Sequence, residues 1–255
     1  MEDTMTVGKY LILEKKNLAK NTYSLLIDCP EAAARAVAGQ FVHIKVDGFT
    51  LRRPISICEI GERTIRIVFD VRGDGTEAMT RLNQGDMIDM IAPLGNGFTL
   101  LEPEQEVVVI GGGIGVPPML ETAKHYLHPT AILGFRTASA AILEEDFAAC
   151  GADVITCTDD GSKGLHGFVT DALQSHLTQH KPALICACGP KPMLQGIVAL
   201  AKQNGIPCEV SLEERMACGV GACLVCACKT VKNGEEFSAH VCKDGPVFKA
   251  EEVVL

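Results

Sequence analysis

The feature that most constrains this chain is a run of cysteines near its C-terminus. The stretch MACGVGACLVCACK, residues 216 to 229, carries four thiols, at Cys218, Cys223, Cys226 and Cys228. A further cysteine, Cys242, follows Cys226 after fifteen intervening residues. The chain holds 12 cysteines, and its first residues lack the basic start and apolar run of a secretion signal. Because thiols stay reduced in the cytoplasm, where we expect this protein, the cysteines favour metal binding or buried thiols over disulfides.

The spacing Cys218-x4-Cys223-x2-Cys226, with one more cysteine further on, is typical of a plant-type [2Fe–2S] cluster held by four thiolates. Small residues between the first two cysteines let backbone N–H groups approach the sulfurs. Cys228 and Cys242 compete for the fourth position. We predict Cys242, because the strand after Cys226 must leave the cluster and a returning segment closes the site against water. Cys228 is then a buried thiol.

Two other uses of these cysteines stay open at this point. A structural zinc ion also takes four cysteines, or three with a histidine such as His240. Zinc sites usually pair two short knuckles, however, and only one side supplies a knuckle here. Alternatively, the cysteines are inert core residues. The cysteines outside the run show no ligand spacing and are predicted to be buried thiols: Cys29, Cys58, Cys150, Cys157, Cys186, Cys188 and Cys208.

The N-terminal region has the pattern of an all-β domain. Residues 7 to 92 contain six short apolar segments with turn residues between several of them: YLILEKK, TYSLLID, FVHIKV, RPISICEI, RTIRIVFDV and MIDMIA. Closely spaced β-branched segments of this kind predict a small antiparallel barrel or sandwich. Only TEAMTRLN, residues 76 to 83, has a helical pattern in this region.

After Pro103 the pattern changes. EVVVIGG is a continuous apolar segment that ends in glycine, as expected for a strand buried on both faces of a parallel sheet. Helical and strand-like segments alternate from there to PCEVSLE, which predicts a doubly wound α/β domain. We therefore divide the chain into residues 1–101, residues 102–212 and a small cysteine-rich subdomain, residues 213–255.

Two glycine-rich turns are candidate phosphate sites. VVVIGGGIGVPPM ends a strand and opens a helix, so the backbone can approach a pyrophosphate whose charge the helix N-terminus favours. The strict dinucleotide fingerprint fails, because Gly111 and Gly113 are followed by Val116, and a tight strand–helix turn is the alternative. VRGDGTEAMT offers a second turn, and Arg53 could make a charge-assisted contact to the same anion.

Together these motifs resemble the ferredoxin–NAD(P) reductase superfamily over nearly the whole chain. They are RPIS at 53–56, GDGT at 73–76, GGGIGVPPM at 111–119 and CGPKPM at 188–193. Within the superfamily, LEERMACGVGACLVC and VCKDGPVF are similar to the tails of the electron-transfer subunits of NAD-dependent dihydroorotate dehydrogenase. The resemblance implies an N-terminal flavin-binding β-barrel, an α/β nucleotide domain and a C-terminal iron–sulfur subdomain.

The resemblance also implies the cofactors and their ligands. FAD would lie on the barrel, with its phosphate, ribitol and ring contacted by Arg53, Pro54, Ile55, Ser56, Val68, Phe69, Asp70, Gly75 and Thr76. NAD(H), as substrate, would lie at the C-terminal strand ends of the sheet, against Gly111, Gly112, Gly113, Gly115, Cys188, Gly189 and Pro190, with residues 158–164 facing its adenosine half. Ile55 stands where the superfamily usually has tyrosine, so aromatic stacking on the flavin is absent there. Arg136 has no arginine partner to bind a 2′-phosphate, which favours NAD over NADP.

The function implied by the resemblance is an electron relay in pyrimidine biosynthesis. Dihydroorotate would be oxidised at the FMN of a catalytic partner subunit, in a heterotetramer of two plus two chains. Electrons would pass through the cluster to FAD and NAD+, without a catalytic residue in this chain. The alternatives are a subunit of another NAD(P)H–ferredoxin or sulfide oxidoreductase, and a zinc-stabilised nucleotide-binding regulator. The net charge of −9 argues against nucleic acid, and the longest apolar stretch is too short for a membrane span.

Overall fold

The computed structural model describes residues 5–232 and 234–255, and its N-terminal part is a closed antiparallel barrel. Its strands are β1 (Thr6–Ala19), β2 (Thr22–Asp28), β3 (Phe41–Lys45), β4 (Arg53–Ile60), β5 (Thr64–Asp70) and β6 (Met87–Leu94). They are ordered β1-β2-β5-β4-β3-β6 around the barrel. Two short helices lie between strands, α1 (Pro30–Ala33) and α2 (Asp74–Met79). All six predicted strands are present, and the barrel is the correct one of the two predicted architectures.

Strand β3 shows how alternation sorts side chains between the barrel interior and its outer face. Val42 and Ile44 point inward and are fully buried with residues such as Ile57. Burial of each such side chain contributes roughly 1.5–3 kcal/mol to stability. Phe41 and His43 occupy the alternate positions and point outward, where the C-terminal part of the chain covers them. The outer face of β3 is therefore an internal contact surface.

The second part is a doubly wound sheet, as predicted. Its parallel strands are β7 (Val107–Gly112), β8 (Thr130–Phe135), β9 (Asp153–Thr158), β10 (Leu165–His166), β11 (Leu184–Cys188) and β12 (Cys208–Ser211). Its helices are α3 (Pro117–Lys124), α4 (Glu144–Ala149), α5 (Val169–His176) and α6 (Lys191–Asn204). The strand order is β10-β9-β8-β7-β11-β12, so the order reverses on either side of β7. Ligands of such sheets bind at this reversal, beyond the C-terminal strand ends.

The sheet has a buried core on each face. Val107 and Val109 of β7 pack with residues of α3 and α4, whereas Val108 and Ile110 pack with residues of α5 and α6. The first of these cores also contains Val68 of the barrel, so the two parts share buried surface. This shared core fixes the orientation of the barrel relative to the strand ends of the sheet.

The C-terminal part forms a hairpin and then returns to the sheet. Strands β13 (Ala227–Lys232) and β14 (Glu235–His240) pair with each other, and β15 (Val247–Lys249) joins the edge of the sheet antiparallel to β12. The last strand of the tail therefore belongs to the same sheet as the nucleotide motif. Among the described residues, no helix has the length and apolar character needed to cross a membrane.

Candidate functional site

The predicted cluster cysteines come from two segments that meet at one place. Three of them lie in the loop before β13, and Cys242 lies just after β14. Backbone N–H groups of this loop point at the Cys218 sulfur: those of Val220, Ala222 and Cys223 donate to its Sγ at 3.4, 3.3 and 3.4 Å. The loop thus concentrates N–H donors around a sulfur, as a thiolate ligand requires.

Three further bonds join the remaining sulfurs to the same network. The N–H of Gly221 donates to Cys242 Sγ at 3.1 Å, and that of Cys242 donates to Cys226 Sγ at 3.4 Å. The N–H of Cys218 donates to Cys223 Sγ at 3.5 Å. Cys228 takes no part in these bonds; it lies in β13, paired with Ala239 of β14. The structure therefore brings together the four predicted ligands and leaves Cys228 beside them.

The surroundings of the sulfurs give them different pKa values. Burial raises the pKa of Cys218, but the hydrogen bonds that its sulfur accepts from the loop outweigh burial and lower the pKa from 9.0 to about 6. Burial, together with a hydrogen bond to Cys226, raises the pKa of Cys242 to about 12. Burial also raises the pKa of Cys228, to about 11. Without metal, Cys218 is mainly a thiolate, whereas Cys242 keeps its proton until metal binding releases it.

His43 of the barrel lies directly beneath the cluster loop. Its side chain is fully buried, and within residues 5–232 and 234–255 neither ring nitrogen has a hydrogen-bond partner. Burial, followed by the charge of Arg52, lowers the pKa of the imidazole to about 4, so the ring is neutral near pH 7. A Cβ added at Gly219 would overlap Nδ1 of this ring and lie 3.0 Å from Cε1. Gly219 also has a φ of +74°, so both the turn and the close approach require glycine there.

Arg53 and Gly75, predicted as flavin ligands from separate motifs, are in contact. A Cβ added at Gly75 would overlap Nε of Arg53. The arginine Nη1 donates to the carbonyl oxygen of Leu51 at 2.6 Å, and the guanidinium lies 5.1 Å from the ring centroid of Phe49. The structure thus holds a positive charge against the start of α2, where an anionic group would find both the charge and backbone N–H donors.

The Thr76 hydroxyl closes the turn that precedes α2. Its Oγ1 accepts from the backbone N–H groups of Arg72 and Gly73 at 2.8 and 3.2 Å, and it donates to the Gly73 carbonyl at 3.0 Å. Asp70, at the end of β5, accepts from the Thr22 hydroxyl at 2.7 Å. Thr76 therefore shapes the turn with its side chain.

The other predicted flavin residues lie on the paired strands β4 and β5. Residues 54–56 pair with β3 and are half-buried. On β5, Phe69 points into the barrel core and stacks on Tyr23 with ring centroids 5.8 Å apart. Val68 points the other way, into the core shared with the sheet. Because both side chains are packed, residues 68 and 69 can face a flavin only through their backbone.

A cavity of about 1070 Å³ lies between the barrel and the C-terminal strand ends of the sheet. Four of the predicted residues line it: Asp70, Gly112, Gly113 and Pro190. Asp159, from the segment predicted to face the adenosine half, also lines it. The cavity therefore joins the predicted flavin strand to the predicted NAD turn at the place where the strand order reverses.

The remaining predicted NAD residues, Gly111, Gly115, Cys188 and Gly189, lie at the ends of β7 and β11. A Cβ added at Gly115 would overlap the carbonyl oxygen of Cys188 and lie 2.8 Å from Cα of Gly189. A Cβ at Gly111 would lie 2.5 Å from Cα of Val116. These glycines let the turn after β7 pack against the end of β11. Burial raises the pKa of Cys188 to about 12, which marks it as a neutral thiol.

Sequence reasoning missed several residues that line the cavity: Phe135, Ser139, Phe168, Thr170 and Met193. Arg136, considered above in relation to a 2′-phosphate, also lines it. Phe135 ends the predicted strand TAILGF, so the rule that ligands bind at C-terminal strand ends could have identified it. Phe168 is 64% exposed and precedes α5, where no motif marks it. Its place at the cavity depends on how the helices pack.

The residues present fit the groups predicted from the sequence. Four thiols with N–H donors around them offer the soft ligand set that an iron–sulfur cluster takes. Arg53 against Gly75 forms a cationic cradle that a side chain at position 75 would fill. The cavity is bounded by the glycine turn after β7 and has room for nucleotide groups.

Comparisons with known proteins agree with these sites. Residues 213–254 match a family model described as the iron–sulfur cluster binding domain of dihydroorotate dehydrogenase B, which supports iron–sulfur rather than zinc. The chain is 40% identical to the dihydroorotate dehydrogenase B (NAD+) electron transfer subunit of Geobacillus sp. (strain WCH70), over 100% of this chain and 99% of the relative. The same subunit of Desulforamulus reducens is 39% identical, over 93% of this chain and 94% of the relative.

Solved structures extend the comparison to the fold. An NADH-dependent reduced ferredoxin–NADP oxidoreductase, studied for flavin-based electron bifurcation, superposes with a TM-score of 0.86 at 30% identity, over 96% of this chain and 89% of that chain. The ferredoxin reductase of carbazole 1,9a-dioxygenase superposes with a TM-score of 0.67 at 18% identity, over 80% and 67%, and shows the fold alone. The chain therefore belongs to the family of electron transfer subunits of dihydroorotate dehydrogenase B (NAD+).

Proposed function

We propose that this chain carries electrons between a catalytic subunit that oxidises dihydroorotate and NAD+, through a [2Fe–2S] cluster and FAD. The observation that carries the proposal is the presence, in one chain, of a four-cysteine site, a flavin-type barrel and a nucleotide crevice. NAD accepts electrons as a hydride, an iron–sulfur cluster passes them singly, and a flavin exchanges them in either way. A chain that holds all three sites is suited to joining single-electron and hydride chemistry.

Each part of the chain has a separate role in this proposal. Cys218, Cys223, Cys226 and Cys242 hold the cluster, and the loop N–H groups stabilise its negative sulfurs. Arg53 neutralises the pyrophosphate of FAD beside Gly75, and the backbone of β5 runs along the flavin. The glycine turn after β7 and the end of β11 hold NAD(H) on the other side of the cavity. These sites lie in three units, residues 1–101, 102–212 and 213–255.

The partner of this chain is a catalytic subunit, and we propose that it contains FMN and assembles as two plus two chains. Four large apolar side chains of the cluster region support a docking surface there: Val220, Leu224, Val225 and Phe237 are 39%, 60%, 53% and 50% exposed. Apolar groups that remain exposed together usually mark a contact with another protein. A partner bound to this surface would bring its FMN near the cluster.

The test measures dihydroorotate-dependent NADH formation. The isolated protein, loaded with FAD and cluster, is expected to pass electrons from NADH to artificial acceptors but not to oxidise dihydroorotate. Adding the catalytic subunit should create NAD+-dependent oxidation that neither protein shows alone. The Cys226→Ser variant should abolish this activity, and Cys228→Ser, its matched control, should keep it. Dihydroorotate oxidation by this chain alone would refute the relay.

A second candidate rests on one observation. The oxidoreductase that superposes with a TM-score of 0.86 is named for reduced ferredoxin and NADP, not for dihydroorotate. A chain with the same carriers could serve ferredoxin instead. Assaying NADH-dependent reduction of ferredoxin beside dihydroorotate-dependent NADH formation separates the two, because each function needs a different partner. The 40% identity to dihydroorotate dehydrogenase subunits over the full length favours the first candidate.

A further inference from the structure

His43 is a buried histidine that the functions described above do not use. Its side chain is fully buried in β3, and both of its ring nitrogens lack a hydrogen-bond partner among the described residues. A buried polar group without partners is rare in folded proteins, and each case calls for an explanation. A leucine would fill the same space without leaving polar atoms unpaired.

The position of His43 joins two of the proposed sites. The residue opposite it on β4 is Pro54, within the flavin motif. On its other side lies Gly219, whose added Cβ would overlap Nδ1 of the ring. Gly219 directly follows Cys218, the first proposed cluster ligand. The imidazole therefore fills the space between the flavin strand and the start of the cluster loop.

Two backbone carbonyl groups face the ring from these two sides. They belong to Arg52, which precedes the flavin motif, and to Cys218. Neither makes a hydrogen bond of full geometry to the ring in this structure. On the barrel side, the Arg52 guanidinium donates to Asp89 Oδ1 at 2.7 Å and to the His43 carbonyl oxygen at 3.3 Å. The Cys218 carbonyl belongs to the cluster loop, so a small movement of the loop would bring it within hydrogen-bond distance of the ring.

We infer that His43 is a positioning residue: its N–H donates to the Cys218 carbonyl when the cluster is bound, and so holds the cluster loop at a fixed distance from the flavin strand. The inference rests on the proposed function, since it takes Cys218 as a cluster ligand and the barrel as the flavin site. A neutral imidazole carries one N–H, which suffices for one carbonyl. Electron transfer slows steeply as the distance between two carriers grows. The hydrogen bond of His43 would therefore affect the rate of electron transfer between the cluster and the flavin.

The test compares His43→Leu and His43→Asn in the full chain loaded with FAD and cluster. Leucine keeps the volume and removes the donor, whereas asparagine places an amide N–H near the position of Nδ1. In the leucine variant we expect an altered electron paramagnetic resonance spectrum of the reduced cluster, a shifted midpoint potential, and cluster reduction by NADH that is about tenfold slower. Asparagine should restore the spectrum and most of the rate.

His125→Leu is the matched control. His125 Nε2 lies 2.7 Å from the Leu101 carbonyl oxygen, so this variant also loses a contact between a histidine and a carbonyl group, but directly after α3 rather than at the cluster loop. It should leave the spectrum, the potential and the rate unchanged. Changes as large as those of His43→Leu would overturn the inference, because they would report a general effect of losing such a contact.

The outcomes at position 43 decide the inference. Wild-type spectrum, potential and rate in His43→Leu would show that the ring only fills space. If the leucine variant fails to fold, His43→Asn decides. A wild-type spectrum, potential and rate of cluster reduction in this variant support the hydrogen bond to Cys218. An altered spectrum with slower cluster reduction overturns it. A wild-type protein without a [2Fe–2S] signal, or without flavin reduction by NADH, would instead refute the proposed function.

Discussion

The cluster loop and the flavin face of the barrel each fit an electron carrier, but they are organised by different groups. In the loop, backbone N–H groups at 3.1–3.5 Å surround the sulfurs, and glycine lets the chain turn. On the flavin face, one long side chain, Arg53, lies on Gly75, and the Thr76 hydroxyl ties the next turn together. Three of the four cysteines of the cluster site lie in one short loop and Cys242 joins them from a returning segment, whereas the flavin face needs two strands and a helix start.

This difference predicts how each site responds to substitution. Each proposed sulfur ligand makes its own bond to iron, which the other contacts of the site cannot replace. Loss of one sulfur should therefore remove most or all of the cluster. A non-covalent cradle spreads its binding energy over several contacts, so the flavin face should weaken in steps. The following experiments test that contrast.

The largest effect is expected at the four ligands. Cys218→Ser, Cys223→Ser, Cys226→Ser and Cys242→Ser should each abolish or strongly reduce the electron paramagnetic resonance signal of the reduced [2Fe–2S] cluster. Cys228→Ser should keep it, because that thiol lies outside the network of N–H bonds to sulfur. If Cys228→Ser removed the signal while Cys242→Ser kept it, the assignment of the fourth ligand would be reversed.

The second effect concerns thiol reactivity after the iron has been removed by a chelator. At pH 7, Cys218, with a pKa of about 6, is mostly thiolate, whereas Cys228, with a pKa of about 11, is protonated. Cys218 should react with iodoacetamide roughly a hundredfold faster, allowing for the lower nucleophilicity of the more acidic thiol. The advantage should shrink as the pH rises from 7 toward 11, because Cys228 gains thiolate while Cys218 is already ionised. Peptide mapping by mass spectrometry measures both rates, and equal rates at pH 7 would contradict the loop electrostatics.

The third effect is at the flavin face. On the proposed assignment, Arg53→Ala removes a charge-assisted contact to the FAD pyrophosphate, and such contacts contribute about 1.5–3 kcal/mol. FAD affinity should fall roughly ten- to a hundredfold, with the cluster signal intact. Fluorescence titration of the flavin-free protein measures the affinity. An unchanged dissociation constant would show that Arg53 does not contribute to FAD binding.

The smallest effect is expected at Gly75. In Gly75→Ala the new methyl group displaces the Arg53 guanidinium, which is flexible, so FAD affinity should fall by only about threefold to tenfold. Adding Gly75→Ala to Arg53→Ala should have no further effect, because both act on the same contact. Gly73→Ala is the control, since nothing lies within 4 Å of a Cβ added there. Additive losses in the double variant would show that Gly75 contacts the cofactor independently.

Much of the fold was predictable because its patterns are local. The six N-terminal segments and the alternating segments after Pro103 carry their periodicity in short windows, and each formed the predicted element. The helix α1 was missed because it spans only Pro30–Ala33, too short for a helical pattern. The return of the tail as β15 was not predicted either, since pairing with β12 depends on contacts between distant segments.

The sequence by itself determined the chemistry of the cluster loop and the positions of the glycine turns. Ligand spacing, turn-forming glycines and strand periodicity depend on neighbours within a few residues, so they can be read along the chain. Only the tertiary structure decided that Phe69 faces the barrel core, that Arg53 lies on Gly75, and that His43 lies beneath Gly219. These contacts join residues far apart in sequence, and they arise because strand alternation and buried cores fix which face of each element meets another.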